Sequence, residues 1–494
     1  MTATSSVATV ALRHYIDGQW EEGGADVLVS TNPARPEEII AAGPQATPAD
    51  VDRSVIAARG ALRAWSRTPV HERGAVLVRA AATLEAESAA LGRELALEEG
   101  KTLAEGTGEV LRAAQILRYY GGEGDRIAGE VFASPRRGER ILVTRKPLGV
   151  VGVITPFNFP IAIPAWKIAP ALVYGNAVVW KPSGAVPLLA VRLTEALAEA
   201  GLPGGVLNLV IGGGELGSAI VEHPGVDGVT FTGSTTVGRR IAASAAGLGV
   251  PVQAEMGGKN AAVVLADADL DLAAEQVLFG AFRSTGQKCT ATSRLVVQEA
   301  VADEFLDRLR ARLDDWIVGD PTDPAVHMGP VVSAAAQRDI RAGLARSLEQ
   351  GATLLLGDQA RVPDTGYFLP ATVLELPADA TRAAANTAWS EEFFGPVLSV
   401  RRAADVGEAF EFANQSEFGL SASVFTQDLT RALDAMDEID VGILHINSES
   451  AGADPHVPFG GAKKSGYGPK EQGGAAKEFF THTTTVYLRG GSPA

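Results

Sequence analysis

Cysteine is almost missing from this chain: Cys289 is the only one in 494 residues. No internal disulfide is available, which favours a reducing compartment, and every motif built on paired cysteines is excluded. Histidine is sparse as well, with seven scattered copies and no H-E-x-x-H pair, and no G-x-x-x-x-G-K-[ST] run occurs. A metal-free chemistry without a P-loop is expected. Positive charge is in deficit, since 43 Lys and Arg face 59 Asp and Glu for a formal net charge of −16. Nucleic acid and anionic membranes need basic patches, so neither is an expected partner and a small molecule fits better. Long apolar runs are lacking too. The uncharged stretch 147–166 is long enough to span a bilayer, but Pro147, Pro156, Pro160 and Pro164 break it. Residues 1–12 have neither the basic start nor the apolar core of a secretory signal, so the cytoplasm is the expected location.

What is present resembles ordinary globular protein, with 46% apolar and 21% charged residues. The length exceeds one core, so two large domains and a small third element are expected. Thr47, Pro48 and Asp50 form a helix start, after which Val51, Val55, Ala58, Leu62 and Trp65 recur at helical spacing, and the first hundred residues read as substantially helical. Farther on, short apolar runs at 149–154, 177–180, 206–211, 229–231 and 261–265 alternate with helical patterns, the signature of a buried parallel sheet and an α/β fold. A second βα region runs from 257 to 460, with helices near 270–284 and 300–313. Segments 139–146 and 481–489 stand apart as polar, β-branched strands whose edges would seek a partner.

Several residues are suited to chemistry. Cys289 follows Gly286 and Lys288, a bend and a cation that favour a thiolate, although a lone cysteine is more often a small buried hydrophobe. Glu255 precedes Gly257 and Gly258, which would let its carboxylate approach another element as a general base; an exposed strand-end acid is the plainer reading. Asn158 lies in a loop stiffened by Pro156 and Pro160 at a strand's carboxyl end, where an amide can serve a developing oxyanion or simply make a turn. Phe231-Thr232-Gly233-Ser234 reads as strand, turn and helix start, an arrangement that offers N–H groups to a phosphate. Lys181 sits at another strand end, where doubly wound sheets bind ligands, and equally suits solvent.

Taken in order, TPFNFP (155–160), WKPS (180–183), FTGS (231–234), EMGGKN (255–260), GQKC (286–289), EEFFGPV (391–397) and PFGG (458–461) make the chain resemble the aldehyde dehydrogenase superfamily over nearly its whole length. The resemblance implies an α/β fold with a Rossmann-like cofactor domain (1–128 and 149–256), an α/β catalytic domain (257–460), and a β-arm for oligomerisation with a C-terminal tail (129–148 and 461–494). It implies Cys289 as nucleophile, Glu255 as deacylating base, Asn158 as oxyanion donor and Lys167 beside the base's proton path. The cofactor, NAD or NADP, would lie against Ile154, Thr155, Pro156 and Phe157; Lys181, Ser183 and Gly184; Gly217; Phe231, Thr232, Gly233, Ser234 and Val237; Met256 and Gly257; and Glu392 and Phe394. A homodimer or homotetramer is implied.

The stretches 280–294, 447–452 and 471–473 look closest to the 2-oxoglutarate semialdehyde (2,5-dioxopentanoate) dehydrogenases. Arg283, six residues before Cys289, matches an arginine that succinate-semialdehyde dehydrogenases use to grip the remote carboxylate, a task suited to a guanidinium, while a structural ion pair is its other reading. Phe159 and Phe459 join it as expected substrate contacts. Many NAD-preferring members carry Glu where this chain has Gly184, so use of both coenzymes is expected. The alternatives are a succinate or glutarate semialdehyde dehydrogenase, a broad aliphatic or aromatic aldehyde dehydrogenase, or a catalytically silent binding protein on this fold. Glu255 argues against a CoA-acylating relative.

Overall fold

The computed structural model describes residues 9–357 and 361–491. Thr47 opens the first long helix, Pro48–Arg67: its side chain accepts from the Asp50 N–H, and Asp50 accepts from the Thr47 N–H in return. Val51, Val55, Ala58 and Trp65 form its buried face. Helices Val70–Ala86, Ser88–Glu99 and Leu103–Gly121 follow. The helical reading of the first hundred residues holds only from Thr47 onward. Ahead of it, Val27–Asn32 pairs antiparallel with Arg35–Pro44 across a turn in which Asn32 Oδ1 accepts the Ala34 N–H at 2.9 Å. The β-branched residues Val27, Val29 and Thr31 alternate there, a period of two that suits a strand.

The first large sheet has eight strands. Its centre is five parallel strands in the order Val252–Glu255, Gly228–Thr232, Val150–Ile154, Ala177–Lys181 and Leu207–Leu209. Almost every residue in them is buried, which is why they read as continuous apolar runs rather than alternating ones. Gly466–Tyr467 closes one edge, and His14–Ile16 with Gln19–Glu21 the other. Chain order reverses between Val150–Ile154 and its neighbour Gly228–Thr232. That switch opens a crevice at the carboxyl ends of the strands, where α/β sheets take ligands. Register brings those ends level: Ile154 lies opposite Lys181 and Phe231, and Thr232 opposite Glu255.

The second sheet runs Thr353–Leu356, Thr372–Glu375, Val397–Ala403, Thr292–Gln298, Asn260–Val264, Ser421–Phe425 and Ile443–Ile446, parallel except at its first strand. The uncharged stretch 147–166 supplies strand Val150–Ile154 and the start of helix Ala162–Val173. Among the described residues no helix is long and apolar enough to cross a membrane. The two polar segments pair with each other, Thr481–Arg489 antiparallel to Glu139–Pro147 over nine positions, and Glu130–Ala133 completes a three-stranded arm. Val131, Phe132, Tyr487 and Leu488 are exposed on it.

Candidate active site

The crevice beside the switch point is a cavity of about 770 Å³. Five strand ends or the turns after them feed it. Ile154, Thr155, Pro156 and Phe157 border it from one turn, Lys181 and Ser183 from the next, and Gly217 from helix Gly214–Glu222. Phe231, Thr232, Gly233 and Ser234 border it with Val237, and Met256 and Gly257 with Glu392 and Phe394. Gly184 stands apart from this lining; a Cβ on it would meet Leu28 Cδ1 at 2.9 Å and the Gly212 carbonyl at 3.3 Å. Glu215, Ser218, Arg240 and Ile241 border the cavity without having been picked out in the sequence. Their signal was their place near the starts of helices that follow strand ends, Glu215 in a first turn and Ser218, Arg240 and Ile241 in second turns.

The lining suits a dinucleotide. Ser234 precedes the fourteen-residue helix Thr235–Leu248 without capping it, so the first amides of that helix are free for an anion. The Thr232 and Thr235 hydroxyls are buried with no partner. Burial disfavours the Lys181 charge, with Glu215 opposing. Glu392 receives the Gly258 N–H at 3.0 Å, and burial raises its carboxyl to about 7. Its approach depends on Gly257, where a Cβ would stand 1.9 Å from a Glu392 oxygen.

A second cavity, of about 300 Å³, lies beyond the sulfur of Cys289, which among the described residues alone borders both spaces. Helix Leu270–Phe282 ends just before it. Ser284, Thr285 and Gly286 then adopt left-handed backbone, at φ of 54°, 56° and 66°, the first two being uncommon for residues with a Cβ. The Ser284 N–H donates to Glu105 at 2.6 Å and the Thr285 hydroxyl to the Gly329 carbonyl at 3.1 Å, and these bonds hold the strained turn in place.

Lys288 does not favour a thiolate at Cys289, contrary to the reading of its sequence position. Its ammonium turns away to the Phe279 carbonyl at 3.2 Å and Glu449 at 3.5 Å, and burial disfavours its own charge. The sulfur touches cavity space but sits deep in the molecule. Burial, reinforced by the Glu392 and Glu255 carboxylates, pushes the thiol up to about 12, against a backbone hydrogen bond from Thr290. Iodoacetamide should therefore alkylate the free protein about tenfold faster per pH unit between about pH 7 and 10, tracking thiolate fraction. A rate that levels off below about pH 9 would refute this ordering of charges.

Glu255 ends strand Val252–Glu255 and is buried. Gly461 donates its N–H to Glu255 Oε2 at 3.0 Å, and a Cβ on Gly460 would come within 2.3 Å of Oε1. The PFGG motif is thus a backbone cradle for this carboxylate. Burial and then Glu471 raise the Glu255 carboxyl well above the usual range, with Gly461, Lys470 and Lys167 opposing. Lys167, fully buried in helix Ala162–Val173, donates to Thr230 Oγ1 at 2.8 Å and to the Glu471 carboxylate. Glu471 was missed as a functional candidate. It had appeared only within a stretch of family likeness, and nothing local marks an acid in a loop as the buried neighbour of a residue 216 positions earlier.

Asn158 is buried and borders the same cavity as Cys289. One of its amide N–H groups donates to the Gln287 carbonyl at 2.9 Å. The second cavity is walled by Phe159, Trp166 and Phe459, with the last two rings 5.3 Å apart. Arg283 borders it half-exposed, its guanidinium 3.6 Å from the centre of the Phe279 ring and 3.7 Å from Glu449.

Residues 20–486 match the aldehyde dehydrogenase family. The chain is 43% identical over 482 residues to the alpha-ketoglutaric semialdehyde dehydrogenase of Bacillus subtilis (strain 168), covering 96% of this chain and 98% of that one. It is 39% identical over 473 residues to the 2,5-dioxopentanoate dehydrogenase of Saccharolobus solfataricus, covering 95% and 98%. The crystal structure of an NAD-dependent aldehyde dehydrogenase from Sinorhizobium meliloti superposes with a TM-score of 0.94 at 34% identity, covering 98% of this chain and 96% of that one. With a doubly wound cofactor sheet, a second parallel sheet and a lone cysteine where two cavities meet, this chain belongs to the aldehyde dehydrogenase family.

Proposed function

We propose that this NAD(P)+-dependent enzyme oxidises 2-oxoglutarate semialdehyde (2,5-dioxopentanoate) to the dicarboxylate, with Cys289 as nucleophile, Asn158 as oxyanion donor and Glu255 as deacylating base. The observation that carries this reading is the position of Cys289 between a dinucleotide-sized crevice and a smaller cavity bordered by arginine and aromatic rings. Addition of the Cys289 thiolate makes the planar aldehyde carbon tetrahedral, and the free N–H of Asn158 meets the oxygen that gains charge. A nicotinamide coenzyme held in the crevice would supply the hydride acceptor that this two-electron oxidation needs. The acyl thioester left on Cys289 is opened by water that Glu255 deprotonates, and Glu471 and Lys167 carry the proton away from the base. Lys181 and Glu392 would hold the riboses, and the amides after Ser234 the pyrophosphate. Gly184 brings no carboxylate to repel a 2′-phosphate, so both coenzymes are accepted.

The substrate assignment draws on the relatives' names and on Arg283. A guanidinium resting on Phe279 and only loosely engaged by Glu449 is free to take a carboxylate at the cavity mouth. Phe159 and Phe459 enclose the carbon chain. The test is kcat/KM for 2,5-dioxopentanoate, succinate semialdehyde, hexanal and benzaldehyde with each coenzyme. A preference for hexanal or benzaldehyde would discard the substrate assignment. In the same assays Arg283→Ala should raise KM for 2,5-dioxopentanoate roughly tenfold or more, the loss of a charge-assisted hydrogen bond, while leaving hexanal within about twofold. Equal effects on both would make Arg283 structural.

On this reading the cofactor domain takes in 1–128 and 149–256, the catalytic domain 257–460, and the arm and tail 129–148 and 461–494, with Gly466–Tyr467 returning to pair into the cofactor sheet; residues 1–8, 358–360 and 492–494 lie outside the described residues. The exposed apolar residues of the arm suit a homodimer or homotetramer. A net charge of −16 disfavours polyanionic partners, and an unprotected thiol nucleophile suits the reducing cytoplasm.

A further inference from the structure

Beneath the loop that carries Asn158 lies a buried ion pair that the chemistry above does not use. Lys101 follows the left-handed cap of Ser88–Glu99, and Glu109 sits on Leu103–Gly121; the ammonium is 2.7 Å from Glu109 Oε2, and both side chains are 2% exposed. Two charges taken out of water are costly unless further bonds satisfy them, so the remaining partners show what the pair holds. Lys101 donates to the Asn158 backbone carbonyl, and its ammonium lies 3.8 Å from the centre of the Phe159 ring. The other Glu109 oxygen accepts the N–H groups of Ile161 at 3.1 Å and Ala162 at 3.2 Å, at the start of helix Ala162–Val173. From above, the Asn158 amide is tied to the Gln287 carbonyl, two residues before Cys289.

We infer that Lys101 and Glu109 are positioning residues for the oxyanion donor, gripping the backbone of residues 158–162 so that the second Asn158 amide N–H stays aimed at the oxygen that develops charge beside Cys289. The inference rests on the reading of Asn158 as that donor. An amide donor lowers a barrier only if it is in place before the charge appears, and a small displacement of a reacting geometry is expensive. A charged bond to the carbonyl of the same residue and a carboxylate across the next helix's first amides supply that rigidity without touching substrate.

The competing role is direct binding of the substrate's carboxylate by Lys101, because Lys101 and Glu109 both border the smaller cavity. Positioning predicts that Lys101→Met lowers kcat about tenfold for 2,5-dioxopentanoate and hexanal alike, with KM moving less than about twofold. In an Asn158→Ala background the same substitution should cost less than about twofold, because the group it acts through is gone. A KM increase confined to the acidic aldehyde, an equal fractional loss in both backgrounds, or an unchanged kcat would overturn the inference. The double variant Lys101→Met/Glu109→Gln removes both charges of the pair and keeps an acceptor for the Ile161 and Ala162 amides; Glu99, fully buried 4.0 Å from Lys101 and raised by burial to about 8, is driven further to its neutral form once the ammonium is gone, so the variant must show the same pattern if Lys101→Met alone folds poorly. A normal kcat in Asn158→Ala by itself would remove the oxyanion reading and this inference together. A loss there without one in the Lys101 variants would remove the inference alone.

Discussion

Replacing Glu255 by Gln should turn steady catalysis into a single turnover: a burst of reduced coenzyme near one equivalent per active site, followed by a steady rate lower by about a thousandfold. Gln keeps the side chain's size and an oxygen for the Gly461 N–H, so the cradle survives and the ability to take a proton is lost. Cys289 borders both cavities and gives up its thiol proton to solvent there, so acylation does not route through the carboxylate at this position and the burst persists. Burial is the largest cause of Glu255's raised pKa, and Glu471 adds to it. A base titrating closer to neutrality is better matched to water than an ordinary carboxylate is. The sign of the pH dependence follows: only the deprotonated form accepts a proton, so the steady rate should fall as pH drops through this group's raised pKa and flatten above it. The burst amplitude should be indifferent to that titration. A variant that turns over at the original steady rate, or one with no burst at all, would remove Glu255 from deacylation.

Why sequence motifs reached Glu255 but not its neighbours is a matter of distance along the chain. Cys289, Glu255 and Asn158 each lie in a short run whose glycines and prolines announce unusual backbone, and the strands that present them were legible as apolar runs between turn residues. The polar strands 139–146 and 481–489 were legible from their β-branched residues and weak alternation instead, and their mutual pairing is a fact of tertiary structure. The Glu255 carboxylate meets the backbone of Gly461 only because the short strand Gly466–Tyr467 pairs antiparallel with Val252–Glu255, bringing the 458–461 turn over it. No local pattern states that pairing. Lys288 shows the opposite failure: a cation one residue from the thiol looked like its activator, yet adjacent residues need not face each other, and its side chain leaves for Glu449. Lys101 and Glu109 fall between these cases, since charged residues eight apart near a helix start read as solvent-facing until packing buries them.

Asn158→Ala should lower kcat for every aldehyde by a hundredfold or more, because one oxyanion donor typically contributes about 3 to 4 kcal/mol to the barrier. The buried amide has one N–H committed to the Gln287 carbonyl, and that bond fixes the orientation of the other. Alanine would leave the Gln287 carbonyl to other partners, so part of any stability change belongs to that lost bond, and kcat must be compared at a temperature where both proteins are folded. KM should change little, because the donor is needed where charge develops and contributes little to holding a neutral carbonyl. The thiol offers a control. Burial and then the Glu392, Glu255 and Glu471 carboxylates raise the Cys289 pKa, and the Asn158 amide is not among the causes, so the pH dependence of its alkylation should be the same in Asn158→Ala and in the original enzyme. Rate loss with an unmoved alkylation profile assigns the effect to the oxyanion. Rate loss with a shifted profile would mean that the loop had moved around the sulfur and that Asn158 acts through the nucleophile instead. A near-normal kcat would take Asn158 out of the mechanism.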